Sequence, residues 1–125
     1  MRDSGFTLIE TLVTISVVAV ALMALLALMS GVFNLNQRAD TQGQAVLLAQ
    51  REFDRLKRIT PSLLPTTGTQ QENVTFAGRA FTLRRTYCPS SAYCTANQRG
   101  VQVDVLSGAA VLFSAQTVYT ELRAK

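Results

Sequence analysis

The sequence predicts an α+β fold, in which one long N-terminal helix packs on a small antiparallel sheet of about four strands. Three observations predict it. No charged residue lies between Thr11 and Gln37. Apolar residues then recur at steps of three and four as far as Leu56, and after Pro61 the pattern changes to alternation. The chain has 125 residues, which is enough for one small core.

The first half of the predicted helix is apolar on every side. Residues 11–33 contain no proline and a single glycine, Gly31. At 1.5 Å per residue they span about 34 Å, which is enough to cross the hydrocarbon core of a bilayer. We expect a transmembrane segment, because a helix without a polar face is surrounded by lipid or by other helices.

The second half of the helix is predicted to be amphipathic. Apolar residues recur at helical spacing, at Val46, Ala49, Phe53 and Leu56. Charged residues occupy the positions between them: Arg51, Glu52, Asp54, Arg55, Lys57 and Arg58. The helix should end before Pro61, because proline disfavours helical geometry in the residue before it and has no backbone N–H. One nearly continuous helix is therefore predicted over residues 6–59.

The rest of the chain is predicted to form strands. Residues 61–73 contain two prolines and a glycine and are predicted to be a turn-rich connection. Short breaks at Gly78 and Gly108 favour two hairpins. The strands are expected at Val74–Ala77, Ala80–Tyr87, Val101–Leu106 and Ala110–Val118. Alternation places one set of side chains on a common sheet face: Phe81, Leu83 and Tyr87, and likewise Val101, Val103 and Val105. The amphipathic helix half has the only long apolar stripe that could cover that face.

Composition excludes several classes of enzyme. The chain has no histidine, so Ser-His-Asp triads, histidine-bearing metal sites and histidine acid–base catalysis are impossible. Cys88 and Cys94 without histidine or clustered acids make a poor metal site. We expect no enzymatic activity, no metal and no cofactor. The closeness of the two cysteines instead predicts a disulfide in an oxidising compartment, which suggests that the C-terminal part lies outside the cytoplasm.

The N-terminus carries a specific motif. Gly5-Phe6-Thr7-Leu8-Ile9-Glu10 directly abuts the apolar run, and this stretch resembles the class III signal of type IV prepilins and pseudopilins. The resemblance implies that prepilin peptidase removes residues 1–5 by cutting between Gly5 and Phe6, after which Phe6 is methylated. It implies a transmembrane and filament-core helix over 6–33, an amphipathic helix half over 34–60 and a small β part over 61–125. An ordinary secretory signal fits poorly, since its apolar core has about 7 to 15 residues.

Glu10 is a carboxylate at the edge of the apolar run. An acid in the first turn of a helix interacts favourably with the helix dipole, which is one explanation for its presence. The resemblance supplies another, in which Glu10 neutralises the Phe6 amine of the next subunit during filament assembly. An intrachain pair with its own Phe6 amine competes with that role, because the two residues are four apart.

Two features favour a minor over a major pilin. The hydrophobic segment has no proline, and residues 46–56 are similar to V-type minor pilins and I-type minor pseudopilins. The expected function is that of a minor pilin in a type IV pilus-like filament, with prepilin peptidase and other pilins as partners. Two alternatives remain open, a type II secretion minor pseudopilin and a single-span membrane protein whose outer domain binds a ligand or DNA. The expected location is the bacterial inner membrane, in a single pass, and then a cell-surface filament.

Arginines raise the questions of DNA contact and of membrane orientation. Arg79, Arg84 and Arg99 are candidate contacts for nucleic acid, although solvated charges offset by nearby acids are the preferred interpretation. Arg38, soon after the span, would weakly place the C-terminal side in the cytoplasm by the positive-inside rule. The cysteine pair and the leader at Gly5 oppose that orientation, and we prefer the outside placement.

Overall fold

The computed structural model describes Gly5 and residues 7–122. Helix α1 spans Leu8–Lys57 and a short 3-10 turn follows at Pro61–Leu63. The helix ends two residues before the predicted limit, and Thr60 before the proline has extended backbone angles, φ −58° and ψ 130°. Of the predicted start of the helix, Phe6 lies outside the described residues.

Four strands form one antiparallel meander. They are β1 Thr69–Phe76, β2 Arg79–Tyr87, β3 Gln98–Ser107 and β4 Ala110–Thr120, in the spatial order β1-β2-β3-β4. A second 3-10 turn, Ser91–Tyr93, lies between β2 and β3. The predicted α+β fold, a long helix packed on four antiparallel strands, is confirmed.

Strand β1 begins at Thr69 rather than at the predicted Val74. Its first five residues are polar and exposed, so they lack the apolar alternation that marks a half-buried strand. They are strand because their backbone pairs with β2, in a register that sets Thr69 opposite Thr86 and Phe76 opposite Arg79. The hairpin closes through Ala77 and Gly78, whose φ values of 49° and 78° are typical of a type I′ turn.

The chain divides into two compact units, Met1–Ala39 and Asp40–Lys125. The second unit holds the core, in which residues of the amphipathic part of α1 cover one face of the sheet. Its most buried strand residues are Phe81 and Leu83 on β2 and Val101, Val103 and Val105 on β3. The predicted inward face of the sheet is therefore buried.

The buried stripe of α1 differs from the predicted one. Val46 and Phe53 are only partly buried. The buried residues of α1 are Ala45, Leu48, Ala49, Glu52 and Leu56. Glu52, predicted among the charged residues between the apolar positions, lies in this stripe because Arg85 on the facing strand binds its carboxylate.

Candidate assembly site and the ion pairs of the sheet

The N-terminal part of α1 presents an apolar surface on all sides. From Leu8 to Leu35 its large apolar side chains are 51–82% exposed. By length and composition this helix could cross a membrane. A soluble domain does not leave so many large apolar side chains uncovered.

Hydroxyl groups inside this apolar segment are all bonded within the helix. Each donates to a backbone carbonyl three or four residues earlier, at 2.6–2.9 Å. The donors are Thr11, Thr14, Ser16 and Ser30. These groups therefore bring little desolvation cost to a lipid or helix-bundle environment.

Glu10 stands in the first turn of α1 and is exposed. Its backbone N–H donates to the Thr7 carbonyl at 3.0 Å. Within the described part of the chain up to Gln37 it is the only charged residue, and its carboxylate has no bonding partner among the described residues. Gly5 is exposed, and Phe6, the other predicted processing residue, lies outside the described residues. Among the described residues, Glu10 is thus a negative charge without a partner at the N-terminal end of the apolar helix.

A buried ion pair joins the amphipathic part of α1 to the sheet. The Arg85 Nε atom donates to Glu52 Oε1 at 2.5 Å, and Arg85 Nη2 donates to Glu72 Oε2 at 2.7 Å. Arg85 and Glu52 are each 6% exposed. Burial disfavours the charged guanidinium, but the bonds to both carboxylates outweigh it and raise the pKa of Arg85. The bond from Arg85 and its charge lower the pKa of Glu72.

The opposite face of the sheet carries a second charge cluster around Asp104. Arg84 Nη2 donates to Asp104 Oδ2 at 2.7 Å, while Ser114 and Gln102 donate to Oδ1 at 2.5 and 3.0 Å. Burial alone would raise the pKa of Asp104, but these three donors outweigh it and lower that pKa. Arg84 and Arg85 are neighbours on β2 whose side chains point to opposite faces of the sheet, because adjacent strand residues alternate.

The three arginines considered for DNA contact have separate intramolecular partners. Arg84 binds Asp104, and Arg79 binds Asp40 at 3.1 Å and the Thr41 hydroxyl. Arg99 is 8% exposed, and its guanidinium donates to three backbone carbonyls, those of Leu64, Thr95 and Gln98. The structure does not bring these three side chains together into one phosphate-binding surface.

Cys88 and Cys94 are joined in a disulfide, with their Cα atoms 5.7 Å apart. The Cys88 backbone has a φ of 53°, and its N–H donates to the Gly100 carbonyl at 2.8 Å. The disulfide therefore closes a short loop, residues 88–94, in the connection between β2 and β3, and the hydrogen bond holds the start of this loop against β3. Among the described residues, no group of three or more His, Cys, Asp or Glu is placed to hold a metal ion.

Sequence reasoning missed the pairing of Glu52 with Arg85, although a signal for it exists. Glu52 follows Ala45 and Leu48 at the helical spacing of the buried stripe, and Arg85 alternates with Leu83 on the buried face of β2. An acid and a base on two apolar faces that must pack together are strong candidates for a buried pair.

Comparison with known proteins bears on the N-terminal segment. Residues 1–31 match the family model described as a prokaryotic N-terminal methylation motif. No curated protein and no solved structure matches the chain. The matched segment includes Gly5, Phe6 and Glu10 and continues into the exposed apolar helix. Together with the helix-on-sheet fold, the match supports a type IV pilin-like prepilin with a class III signal at its N-terminus.

Proposed function

We propose that this chain is a non-enzymatic minor pilin of a type IV pilus-like filament. The observation that carries the proposal is the methylation motif at residues 1–31, which leads directly into a charge-free helix with an exposed apolar surface. Such a surface needs lipid first and helices of other subunits afterwards. Other pilins and prepilin peptidase are its proposed partners.

The proposal assigns a role to each segment. Residues 1–5 are a leader on the cytoplasmic side, and the peptidase cuts between Gly5 and Phe6. Residues 6–33 hold the chain in the inner membrane and later enter the filament core. The amphipathic half, 34–60, and the β part, 61–125, lie outside the cytoplasm, where the Cys88–Cys94 bond is stable.

Glu10 is the proposed assembly residue. Once the leader is removed, the amine of Phe6 carries a positive charge that must enter an apolar helix bundle. The exposed carboxylate of Glu10 has no bonding partner among the described residues, and it is the only acid on the described part of the helix before Asp40. Pairing the two charges would avoid burying either of them without a counter-charge, which is the strongly destabilising case.

Processing is the direct test of the proposal. We expect the intact mass and N-terminal sequence of membrane-derived protein to show a chain that begins with methylated Phe6. A Gly5→Leu variant should keep its leader while it still inserts in the membrane, which controls for expression and insertion. Recovery of only Met1 forms from the unaltered chain would contradict the proposal and favour an uncleaved single-span protein.

The filament system is tested by deletion. A minor pilin should affect twitching or pilus number, whereas a type II secretion pseudopilin should affect protein export. A ligand-binding or DNA-binding anchor is less well supported, since Arg79, Arg84 and Arg99 are each bound within the fold. Absence of salt-sensitive binding to double-stranded DNA would remove that alternative.

A further inference from the structure

A groove lies at the β1 edge of the sheet, between charged side chains of α1 and the backbone of an edge strand. The groove, here the β1 groove, has a volume of about 760 Å³ and lies between α1 and the first two strands. On its helix side are Leu47, Arg51, Arg55 and Arg58, and on its strand side are Glu72 and Val74. All the residues from Thr69 to Asn73 are exposed, so the groove opens at the edge of the sheet.

Backbone groups of β1 are available at this edge. The Tyr87 N–H donates to the Gly68 carbonyl at 2.9 Å, so the backbone groups of Gly68 point towards β2. Since pairs alternate along an antiparallel ladder, the N–H and C=O groups of every second residue point away from β2. The outward-pointing residues are Thr69, Gln71, Asn73 and Thr75. An extended polypeptide could bond to these groups as a fifth strand.

The helix side of the groove is positive. Arg51 and Arg58 are exposed and make no ion pair among the described residues. Arg55 makes a long ion pair with Glu52, in which the nitrogen and oxygen atoms are 3.7 Å apart. Glu52 and Glu72, which also line the groove, are bound to Arg85, and among the described residues Asp54 is the lining carboxylate without an ion pair. The groove therefore has an excess of unpaired positive charge on its helix wall.

The occupant follows from these features. We propose that the β1 groove binds an acidic, extended segment of a partner polypeptide, which adds to the β1 edge and directs alternate carboxylates towards Arg51, Arg55 and Arg58. Alternate strand residues lie about 7 Å apart, which is similar to the rise of about 6 Å between Arg51 and Arg55 along α1. Leu47, which is 56% exposed, and Val74 offer contact to an apolar residue of the segment.

The other free edge of the sheet does not share this charge pattern. The groove beside β4 is lined by one acid, Asp54, and one base, Lys57. There Tyr119 on β4 already donates to the Phe53 carbonyl of α1 at 2.9 Å. The β1 edge is thus the one that selects an acidic strand, and Lys57 provides a matched control charge outside the β1 groove.

The test uses the full chain in a non-ionic detergent and a fluorescent peptide of four Glu-Val repeats, followed by anisotropy at two salt concentrations. Charge reversal by Arg51→Glu should weaken binding by about fivefold or more, whereas Lys57→Glu, which changes the net charge by the same amount, should change it by less than about twofold. Equal binding of the unaltered chain to a Lys-Val repeat, or equal binding of both charge-reversed proteins, would overturn the charge assignment.

A second probe tests strand addition without altering the protein. The same Glu-Val peptide, N-methylated at alternate residues, keeps its charge but cannot donate along one edge. Loss of its binding supports backbone pairing with β1, and undiminished binding would overturn that part of the proposal. Failure of both peptides to bind the unaltered chain would overturn the proposal as a whole, and it would leave the processing test at Phe6 unaffected.

Discussion

Replacing Arg85 by methionine should lower the unfolding free energy of the globular unit by about 3 to 5 kcal/mol. The guanidinium bonds to Glu52 at 2.5 Å, and both side chains are 6% exposed, so removal of Arg85 leaves a buried carboxylate without a counter-charge. The cost arises from that orphaned charge more than from the pair itself. The double variant Arg85→Met with Glu52→Leu should therefore recover most of the loss, because an apolar pair of similar volume fills the same space.

The assay is a urea titration of the full chain in a non-ionic detergent, followed by near-ultraviolet circular dichroism of the tyrosines, since the chain has no tryptophan. Glu72→Gln is the matched control, because its side chain is 50% exposed and its bond to Arg85 should be worth at most about 1 kcal/mol. If Arg85→Met unfolds within about 1 kcal/mol of the unaltered chain at an unchanged denaturant slope, Glu52 is not held by Arg85 and the reasoning is refuted.

Four further predictions concern single features. Asp104 has a lowered pKa in the folded chain, so it stabilises the fold above the pKa of the unfolded chain, about 3.8, and this stabilisation should be lost as the pH falls through the lower pKa of the folded chain. In a pH series of urea titrations, the Asp104→Asn variant should show a smaller loss of stability over this acid range. Burial, and then nearby acidic charge, raises the pKa of Tyr119 to about 12, so stability should fall as the pH rises from about 10. The Tyr119→Phe variant should lack the most alkaline phase of an absorbance titration at 295 nm, and the lost hydrogen bond should lower its unfolding free energy by about 1 kcal/mol. Serine at both Cys88 and Cys94 should lower stability by about 2 to 2.5 kcal/mol in the same urea assay. Glu10→Ala and Glu10→Gln should insert and be cut normally but reach sheared filaments in reduced amounts, and wild-type amounts of both would return Glu10 to a helix-terminus role.

The helix and the buried strand faces could be predicted because their apolar residues follow one clear period. Val101, Val103 and Val105 alternate without interruption, and the apolar run from Thr11 onwards has no competing pattern. Pro61 gave a sharp end to the helix for the same local reason. These features depend on residues that are close together in the sequence, so the sequence alone was enough to predict them.

Features that depend on a distant partner were not predicted. The first residues of β1 are strand only because β2 lies beside them, and Glu52 is buried only because Arg85 faces it from 33 positions along the chain. Asp104 likewise owes its burial to Arg84, Gln102 and Ser114 around it. The burial of a polar residue such as Glu52 cannot be predicted until the residues on the opposing surface are known.

Sheet topology has a consequence for the order of folding. Every strand pairs with its immediate neighbour in sequence, so the meander can form hairpin by hairpin with small losses of loop entropy. The core closes differently, because the bond from Tyr119 to the Phe53 carbonyl spans 66 residues. During synthesis, the amphipathic end of α1 is complete long before β4 leaves the ribosome. The stripe of α1 that the sheet buries, from Ala45 to Leu56, therefore stays exposed to solvent until β4 has been made, and it can associate with other unfolded chains during that interval.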